Sequence, residues 1–281
     1  MRLKEPDFSL KDTFLSCVRY YRKNSTIAEK MMNIQPYLLD DEKQYKENIS
    51  ELYILPEHSD GLYMDEEEIS NKNLKDLYSN KLINKKNKDS RKFYDRLLTS
   101  SPICPYCGER QVTTIDHFLP KSKYANFSIT PINLIPCCYV CNMNKRDIVP
   151  TNEKDLLFHP YFEDIAEMKW LFADLEVNNL TVIFNYYVKL EGYDVIAQRL
   201  KNEVKKLNLL SYYSEKAGTE FSYFAEYYSK LYNNGSGEED VVRSFKEGRE
   251  KARYRPMKEN SIEYVMYDTL LENIEKVYTI L

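Results

Sequence analysis

Two C-x-x-C pairs, Cys104 with Cys107 and Cys138 with Cys141, constrain this chain more than any other feature of its sequence. The tight turn of a C-x-x-C pair directs two thiolates towards one point, and two such pairs supply the four sulfur ligands of a tetrahedral zinc site. Thirty residues, 108–137, separate the pairs, so the intervening segment must itself fold. We therefore predict a zinc-stapled module in which these four cysteines bind structural Zn²⁺.

The rest of the sequence indicates that the cysteines bind zinc and do not form disulfides. Its first residues lack the apolar core of a signal peptide, and no apolar run approaches the length needed to cross a bilayer. We expect a cytoplasmic protein without a membrane segment, in which the six cysteines are reduced.

The segment between the cysteine pairs predicts a ββα unit. Residues 111–116, QVTTID, alternate and are rich in β-branched side chains, which predicts a strand that ends on the pair Asp116-His117. Residues 133–136, NLIP, predict a short return strand, and the residues after Cys138 predict the start of a helix. Polar residues stand at the junctions between these elements.

This stretch resembles the HNH endonuclease family, in which a ββα unit holds one divalent metal ion and cuts phosphodiester bonds. The resemblance is carried by CPYCG, by Asp-His-x-Leu-Pro-Lys-Ser, by Asn-Leu and by C-x-x-C-Asn-x-x-Lys. His117 matches the family's first residue, Asn133 the middle one and Asn142 the third, where many members carry His and Asn is a frequent substitute. The flanking regions lie outside the resemblance.

The resemblance implies a role for each matched residue. Phosphodiester hydrolysis needs a deprotonated water, an oxygen-preferring cation and a rigid frame. His117 would be the general base, because free imidazole titrates at about 6.5. Asp116 and Asn142 would bind the catalytic metal, and two oxygen ligands favour Mg²⁺ or Mn²⁺ over zinc. Asn133 would hydrogen-bond across the loop and fix the backbone that carries the histidine.

Four further residues are candidates for the site. Lys145 lies three residues after Asn142 on the same side of the helix, and could contact a substrate phosphate or support the metal ligand. Lys121 and Lys123 follow the histidine and are candidates for phosphate contact. His159 stands in a His-Pro-Tyr element that is similar to one in some HNH proteins of antiphage systems. It either serves the site or is packed beneath the module by neighbouring aromatic rings.

Helical periodicity flanks the module on both sides. Between Leu10 and about Leu55, breaks at residues 24–26 and at Asn33 to Pro36 predict two or three helices. On the C-terminal side, a β-hairpin is predicted at 170–177 and 180–188, around Asn178-Asn179, and helices are predicted at 193–209, 211–232, 238–254 and 260–281.

These elements predict an α+β fold that is mostly α, with a zinc-stapled ββα-metal (HNH) module embedded between helical regions. We expect an N-terminal helical region at 1–98, the HNH/zinc module at 99–160, and a C-terminal region of hairpin and then helices at 161–281. Residues 233–237, NNGSG, predict a flexible joint in the last region.

The stretch 71–96, just ahead of the module, is strongly basic. Its charged residues are nine cations, Lys72, Lys75, Lys81, Lys85, Lys86, Lys88, Arg91, Lys92 and Arg96, against three aspartates, Asp76, Asp89 and Asp95. A solvated helical face explains such a run, and contact with nucleic acid beside a phosphodiesterase site explains it equally well.

The overall charge predicts a partner. A net charge of −4 and a pI near 5.7 are unusual for a chain that grips long DNA by itself. None of the seven glycines precedes a Lys-Ser or Lys-Thr pair, so the chain has no P-loop and any ATPase is another polypeptide. The arrangement is similar to nuclease subunits of antiphage defence systems such as the Septu type. That resemblance implies DNA as substrate, a role in defence, and an ATPase or other regulatory protein as partner.

Two alternatives remain open at this point. The ββα site recognises a phosphodiester and not a sugar, so an endonuclease acting on RNA, such as tRNA, has the same site. A non-catalytic zinc-stapled protein that binds nucleic acid or serves as a scaffold is an alternative of a different class.

Overall fold

The computed structural model describes residues 1–22, 25–55, 69–178, 181–192, 194–234 and 237–281. Two compact units make up the chain, one of residues 2–163 and the other of Met1 with residues 164–281. Helices dominate the described residues, and two small antiparallel sheets complete the α+β fold that the sequence predicts. The boundary expected between residues 98 and 99 lies inside the first unit, and the three-region division stays a prediction.

Helices form the N-terminal part of the first unit. They are α1 (Leu10–Val18), α2 (Thr26–Glu47), α3 (Asn71–Asp76) and α4 (Lys88–Leu98), with a 3-10 helix at Ile49–Ile54 and a π-helix at Leu77–Leu82. Capping boxes begin two of them, Ser9 with Asp12 before α1 and Ser70 with Asn73 before α3, because each pair satisfies backbone N–H groups that the first turn leaves free.

The break expected at Asn33 to Pro36 is wrong, because α2 runs through Pro36 without interruption. Proline removes one backbone donor from a helix interior and usually kinks or ends it. Here Met31, before the proline in the sequence, and Leu38, after it, are both buried in the hydrophobic core, and this tertiary packing offsets the lost hydrogen bond. The helix therefore continues to Glu47 and carries Tyr45 into the interior. The other expected break includes Asn24, which lies outside the described residues.

A ββα unit follows, as the sequence predicts: β1 (Thr114–His117), β2 (Leu134–Cys137) and α5 (Tyr139–Lys145). The strands are antiparallel, with Asp116 opposite Ile135 and His117 opposite Leu134. The return strand begins one residue later than expected, because Pro131–Asn133 forms a 3-10 turn ahead of it.

The helices and the ββα unit share one hydrophobic core. Buried residues of the helices, such as Phe14, Met31 and Leu97, belong to the same cluster as Ile115 and Leu134 of the two strands. The strands of the unit are only four residues long, and so short a sheet buries too little surface to be stable alone. The N-terminal helices therefore supply much of the apolar surface against which the ββα unit packs.

The second unit contains the predicted hairpin and helices. Its elements are β3 (Leu171–Asn178), β4 (Thr181–Val188), α6 (Asp194–Lys206), α7 (Leu209–Asn233), α8 (Gly237–Ala252), α9 (Ile262–Glu272) and α10 (Ile274–Tyr278). The strands are antiparallel, with Leu175 opposite Phe184. Asn179 of the predicted turn, and Gly235 and Ser236 of the predicted joint, lie outside the described residues. None of the helices that the structure describes combines the length and apolar character needed to cross a bilayer.

Candidate active site

The four cysteines of the two C-x-x-C pairs meet in one cluster. All four are buried, and their sulfur atoms lie within 4.8 Å of one another. Tetrahedral zinc with Zn–S bonds of about 2.3 Å needs sulfurs about 3.8 Å apart, so this cluster fits a structural zinc ion. Backbone N–H groups of Arg110 and Cys141 donate to Cys107 Sγ and Cys138 Sγ at 3.4 and 3.3 Å, as suits thiolates. Cys137 is buried next to the cluster but is not part of it.

Asp116, His117 and Asn142 line one cavity of about 370 Å³. Pairing of β1 with β2 fixes the first two at the end of the sheet, and the first turns of α5 supply the third. The structure thus brings the predicted base and both predicted metal ligands together. Tyr78, Lys121 and Arg146 are among the other lining residues.

His117 is held in one orientation by a backbone carbonyl. Its Nε2 lies 2.9 Å from the carbonyl oxygen of Ser128, and because a carbonyl only accepts, Nε2 carries the proton. Nδ1 is then the basic nitrogen. The ring of Tyr78 packs edge-on against the imidazole at a centroid distance of 4.4 Å. Burial lowers the pKa of His117 to about 3, so the ring is neutral near pH 7 and its Nδ1 carries no proton.

Asp116 is a buried carboxylate with two partners. Its Oδ2 accepts a hydrogen bond from the Tyr106 hydroxyl at 2.9 Å and lies 3.0 Å from Lys145 Nζ. Burial raises the pKa of Asp116, while the charge of Lys145 and these hydrogen bonds act in the opposite direction. Lys145 thus favours the ionised form that a cation needs.

Asn142 also lines the cavity. Its Nδ2 donates to Thr114 Oγ1 at 3.2 Å and to the carbonyl oxygen of Ile115 at 3.4 Å, which leaves Oδ1 as the acceptor of the amide. A carboxylate and an amide oxygen form a hard donor set, which suits Mg²⁺ or Mn²⁺ better than zinc. The residues present therefore fit an oxygen-preferring divalent ion.

Asn133 spans the loop between the two strands. Its Oδ1 accepts from the backbone N–H of Leu119 at 2.8 Å, and its Nδ2 donates to the carbonyl oxygens of Leu119 and Phe127 at 3.1 and 3.2 Å. The side chain is fully buried. It lines no part of the cavity, and so it acts on the loop rather than on a substrate.

The candidate lysines occupy three different environments. Lys145 is 1% exposed, and its ammonium also donates to the carbonyl oxygen of His117 at 2.7 Å, which favours support of the site over phosphate contact. Lys121 lines the cavity, with its Nζ 4.7 Å from the Tyr78 ring centroid, and burial lowers its pKa. Lys123 is exposed and does not line the cavity.

His159 is fully buried among aromatic rings, with Phe118 at a centroid distance of 4.2 Å and Phe162 at 4.8 Å. Direct contact with a phosphate is not available to it in this position. The ring is packed beneath the module, as one of the two expectations has it, and whether it also serves the site depends on its polar contacts, which are described below.

Sequence reasoning missed Tyr78 and Arg146 as lining residues. Tyr78 belongs to the π-helix within the basic stretch, and irregular helical turns of this kind are frequent at functional sites. Arg146 follows α5 with φ of 49°, which is unusual for a residue other than glycine. The only sequence signal for Arg146 was its place directly after the Asn-x-x-Lys motif, and Tyr78 had none.

The basic stretch is used partly for packing. Lys81 Nζ donates to the carbonyl oxygen of Tyr20 at 3.0 Å, and Arg91 Nε pairs with Asp95 at 2.8 Å. Several others, Lys72, Lys85, Lys86, Lys88 and Lys92, are exposed. Both explanations of the stretch, a solvated face and nucleic-acid contact, stay open.

Comparison with known proteins identifies the ββα segment. Residues 104–147 match the model of the HNH endonuclease family, so this stretch is an HNH endonuclease domain, which supports a nuclease. The chain is also similar to Protein ea31 of Escherichia phage lambda, with 36% identity over 156 residues, which covers 53% of this chain and 52% of the phage protein. The chain thus spans about half the length of this curated relative. No solved structure matches the chain.

Proposed function

We propose that this chain, whose residues 104–147 form an HNH endonuclease domain, is a metal-dependent endonuclease that hydrolyses phosphodiester bonds of DNA. The observation that carries the proposal is the convergence of Asp116, His117 and Asn142 on one cavity. A structural zinc module without catalysis has no need for a neutral imidazole, a buried carboxylate and an amide oxygen at one place.

The residues of the chain divide the chemistry among them. His117 takes a proton from the attacking water at Nδ1, while its Nε2–H stays bonded to the Ser128 carbonyl. Asp116 and Asn142 hold the divalent ion through oxygen atoms. When bound, a Mg²⁺ or Mn²⁺ ion neutralises charge on the phosphate and on the leaving oxygen. Lys121 lines the cavity and binds a phosphate of the strand beside the scissile one.

Arg146 is a second phosphate contact. It is exposed and lines the same cavity, and a guanidinium binds phosphate oxygens in a bidentate fork. Together with Lys121 it places two cations on a cavity that Asp116 and Asp147 also line, so phosphate oxygens find basic partners beside the carboxylate that would hold the metal.

The biological setting we propose is antiphage defence in a bacterial cytoplasm, with the chain as the nuclease subunit beside an ATPase or other regulatory protein. The similarity of the motif to Septu-type nuclease subunits supports this setting. The phage origin of the relative is compatible with a part in conflict between phage and host. The sequence contains no P-loop, which is compatible with nucleotide hydrolysis by a partner polypeptide.

Cleavage assays on three substrates test the proposal. Purified protein is incubated with supercoiled plasmid, single-stranded DNA and tRNA, each with Mg²⁺, with Mn²⁺ and with EDTA, and with or without cell extract to supply a partner. We expect metal-dependent nicking of DNA that falls about 100-fold or more in His117→Ala. Asp174→Asn changes an exposed carboxylate on β3 and serves as the control that keeps full activity.

Other outcomes discriminate the alternatives. Cleavage of tRNA with intact DNA would assign the same site to RNA. Intact substrates in every condition, from protein that is folded and carries zinc, would overturn the enzyme and favour the binding or scaffold protein.

A further inference from the structure

A tyrosine from helix α2 reaches the interior of the HNH domain. Tyr45 is fully buried, and its hydroxyl lies 3.1 Å from Asn133 Oδ1 and 3.0 Å from His159 Nε2. Asn133 and His159 are also fully buried. Three polar side chains from distant parts of the first unit therefore form one hydrogen-bonded chain beneath the loop that follows His117.

The partners of Asn133 and His159 determine where the protons lie in this hydrogen-bonded chain. Asn133 Nδ2 donates to two carbonyl oxygens, so Oδ1 is the atom that faces Tyr45 and the tyrosine must donate to it. The Tyr45 oxygen then accepts from His159 Nε2–H. His159 Nδ1 accepts from the backbone N–H of Tyr161 at 3.3 Å, which agrees with a neutral ring protonated at Nε2. Every donor in the chain has an acceptor, and each bond polarises the next.

Asn133 is the end of this hydrogen-bonded chain that contacts the active-site loop. It holds Leu119, two residues after His117, through two hydrogen bonds. It also holds the carbonyl oxygen of Phe127, and the next residue, Ser128, is the one whose carbonyl binds His117 Nε2. A rotation of the Asn133 amide would therefore disturb the backbone on both sides of the imidazole.

We propose that Tyr45 and His159 are positioning residues of the nuclease. They fix the Asn133 side chain from below, and through it the loop 117–128 that aims His117 Nδ1 at the attacking water. The inference rests on the proposed function for its effect on rate, but the loop geometry that it predicts is independent of catalysis. It assigns a role in the active centre to a helix far from the HNH motif, since Tyr45 and Asn133 are 88 residues apart.

Two tyrosine-to-phenylalanine variants separate positioning from packing. Tyr45→Phe removes only the hydroxyl that joins Asn133 to His159. Tyr161→Phe is the matched control, because Tyr161 is 1% exposed in the same core and its hydroxyl donates to the carbonyl oxygen of Leu134 at 2.8 Å. Tyr45→Phe loses two buried hydrogen bonds, to Asn133 and to His159, and Tyr161→Phe loses one. Only the bonds of Tyr45 lie in the hydrogen-bonded chain to Asn133.

Two readouts are measured for wild type and both variants: the rate of metal-dependent plasmid nicking, and hydrogen exchange of the backbone amide of Leu119. We expect Tyr45→Phe to lower kcat by about tenfold or more with little change in KM, because a small misplacement of a base has this effect. We also expect it to accelerate Leu119 exchange. Tyr161→Phe should lose thermal stability through its one buried hydrogen bond, keep kcat and leave Leu119 protected.

Two variants of His159 test its hydrogen bond to Tyr45. His159→Gln keeps an N–H donor for Tyr45, whereas His159→Phe removes it. Glutamine should restore most of the nicking rate and of the Leu119 protection that phenylalanine loses.

Equal losses of kcat in Tyr45→Phe and Tyr161→Phe, in proportion to their melting temperatures, would overturn the inference. So would unchanged exchange at Leu119 in Tyr45→Phe. If wild type cuts no nucleic acid, the proposed function fails, and the exchange data alone decide whether Tyr45 fixes the loop.

Discussion

Lys145 places its ammonium 3.0 Å from Asp116 Oδ2 and 2.7 Å from the carbonyl oxygen of His117. One buried cation thus binds both residues of the Asp-His pair, one through its side chain and the other through its backbone. The lysine serves the site from inside and does not reach out to a substrate.

Loss of the Lys145 ammonium should lower the stability of the fold and weaken the binding of the catalytic metal. Removing one partner of a buried ion pair leaves an uncompensated charge, so we expect Lys145→Met to lower the free energy of unfolding by about 3 kcal/mol. We also expect it to raise the Mn²⁺ concentration that gives half-maximal nicking, because Asp116 then protonates more easily. Urea unfolding and a Mn²⁺ titration measure these effects.

Lys43→Met is the control for Lys145→Met. Lys43 pairs with Glu47 at 3.8 Å on the exposed face of α2, where its side chain is 70% exposed, and such pairs contribute about 1 kcal/mol or less. A loss of stability as large in Lys43→Met as in Lys145→Met would contradict the buried-pair argument.

Zinc content should separate two neighbouring cysteines. Cys104→Ser removes a ligand of the sulfur cluster, and we expect it to lose zinc and to lower the melting temperature sharply, because binding of the metal is coupled to folding. Cys137→Ser changes an equally buried thiol outside the cluster and should keep a full equivalent of zinc. Metal analysis by mass spectrometry with a thermal melt tests both, and zinc retained in Cys104→Ser would refute the assignment.

The buried His159 should make stability depend on pH. Burial lowers its pKa from the ordinary 6.5 to about 3, so below pH 6.5 the unfolded chain takes up a proton that the folded chain does not. Stability is therefore complete above about pH 6.5 and is lost as pH falls towards about 3, by about 2 kcal/mol at pH 5 for one such group. The charge of Lys145 lowers the pKa of His159 further. Nδ1 of His159 accepts a hydrogen bond from the backbone N–H of Tyr161, and it would lose that bond if it took up a proton.

The measurement compares urea unfolding at pH 7.5 and 5 for wild type and His159→Gln. The glutamine variant does not titrate, so it should lose less stability between the two pH values than wild type does. Equal losses would show that His159 is accessible to protons in the folded state.

Two helical glycines of the second unit should respond oppositely to alanine. A Cβ at Gly248 would lie 2.6–2.9 Å from ring atoms of Tyr267, whose ring is packed beside Phe245. We expect Gly248→Ala to cost about 1 kcal/mol or more. At Gly218 the nearest atom, the carbonyl oxygen of Val182, is at 3.6 Å, so alanine should stabilise the helix by up to about 1 kcal/mol. Thermal melts of the two variants measure the difference, and stabilisation by both would contradict the close approach at Gly248.

Short sequence patterns predicted the sulfur cluster and the ββα unit, because contacts between residues close in sequence determine both. The sulfur cluster follows from the C-x-x-C spacing, and the ββα unit follows from alternation, a loop and a helix start within a short range of sequence. The return strand begins one residue later than predicted, because the 3-10 turn at Pro131–Asn133 delays it. The first strand begins at Thr114, three residues later than predicted.

Long-range packing decided what the sequence could not show. Tyr45 meets Asn133 only because α2 continues through Pro36, where local rules favour a break. The spacing predicts that Lys145 shares a side of the helix with Asn142, but no local rule shows that its ammonium turns inward to Asp116. Tyr78 reaches His117 from the π-helix, and that contact depends on how helices of the first unit pack together.

The core shared by the N-terminal helices and the ββα unit sets the smallest fragment that can be transplanted. A cassette cut at residues 104–147 would carry the four cysteines, the candidate metal ligands and the histidine, yet it would leave Tyr45 and the apolar surface of the N-terminal helices behind. A graft of this HNH domain onto a DNA-targeting protein should therefore take the whole of residues 2–163.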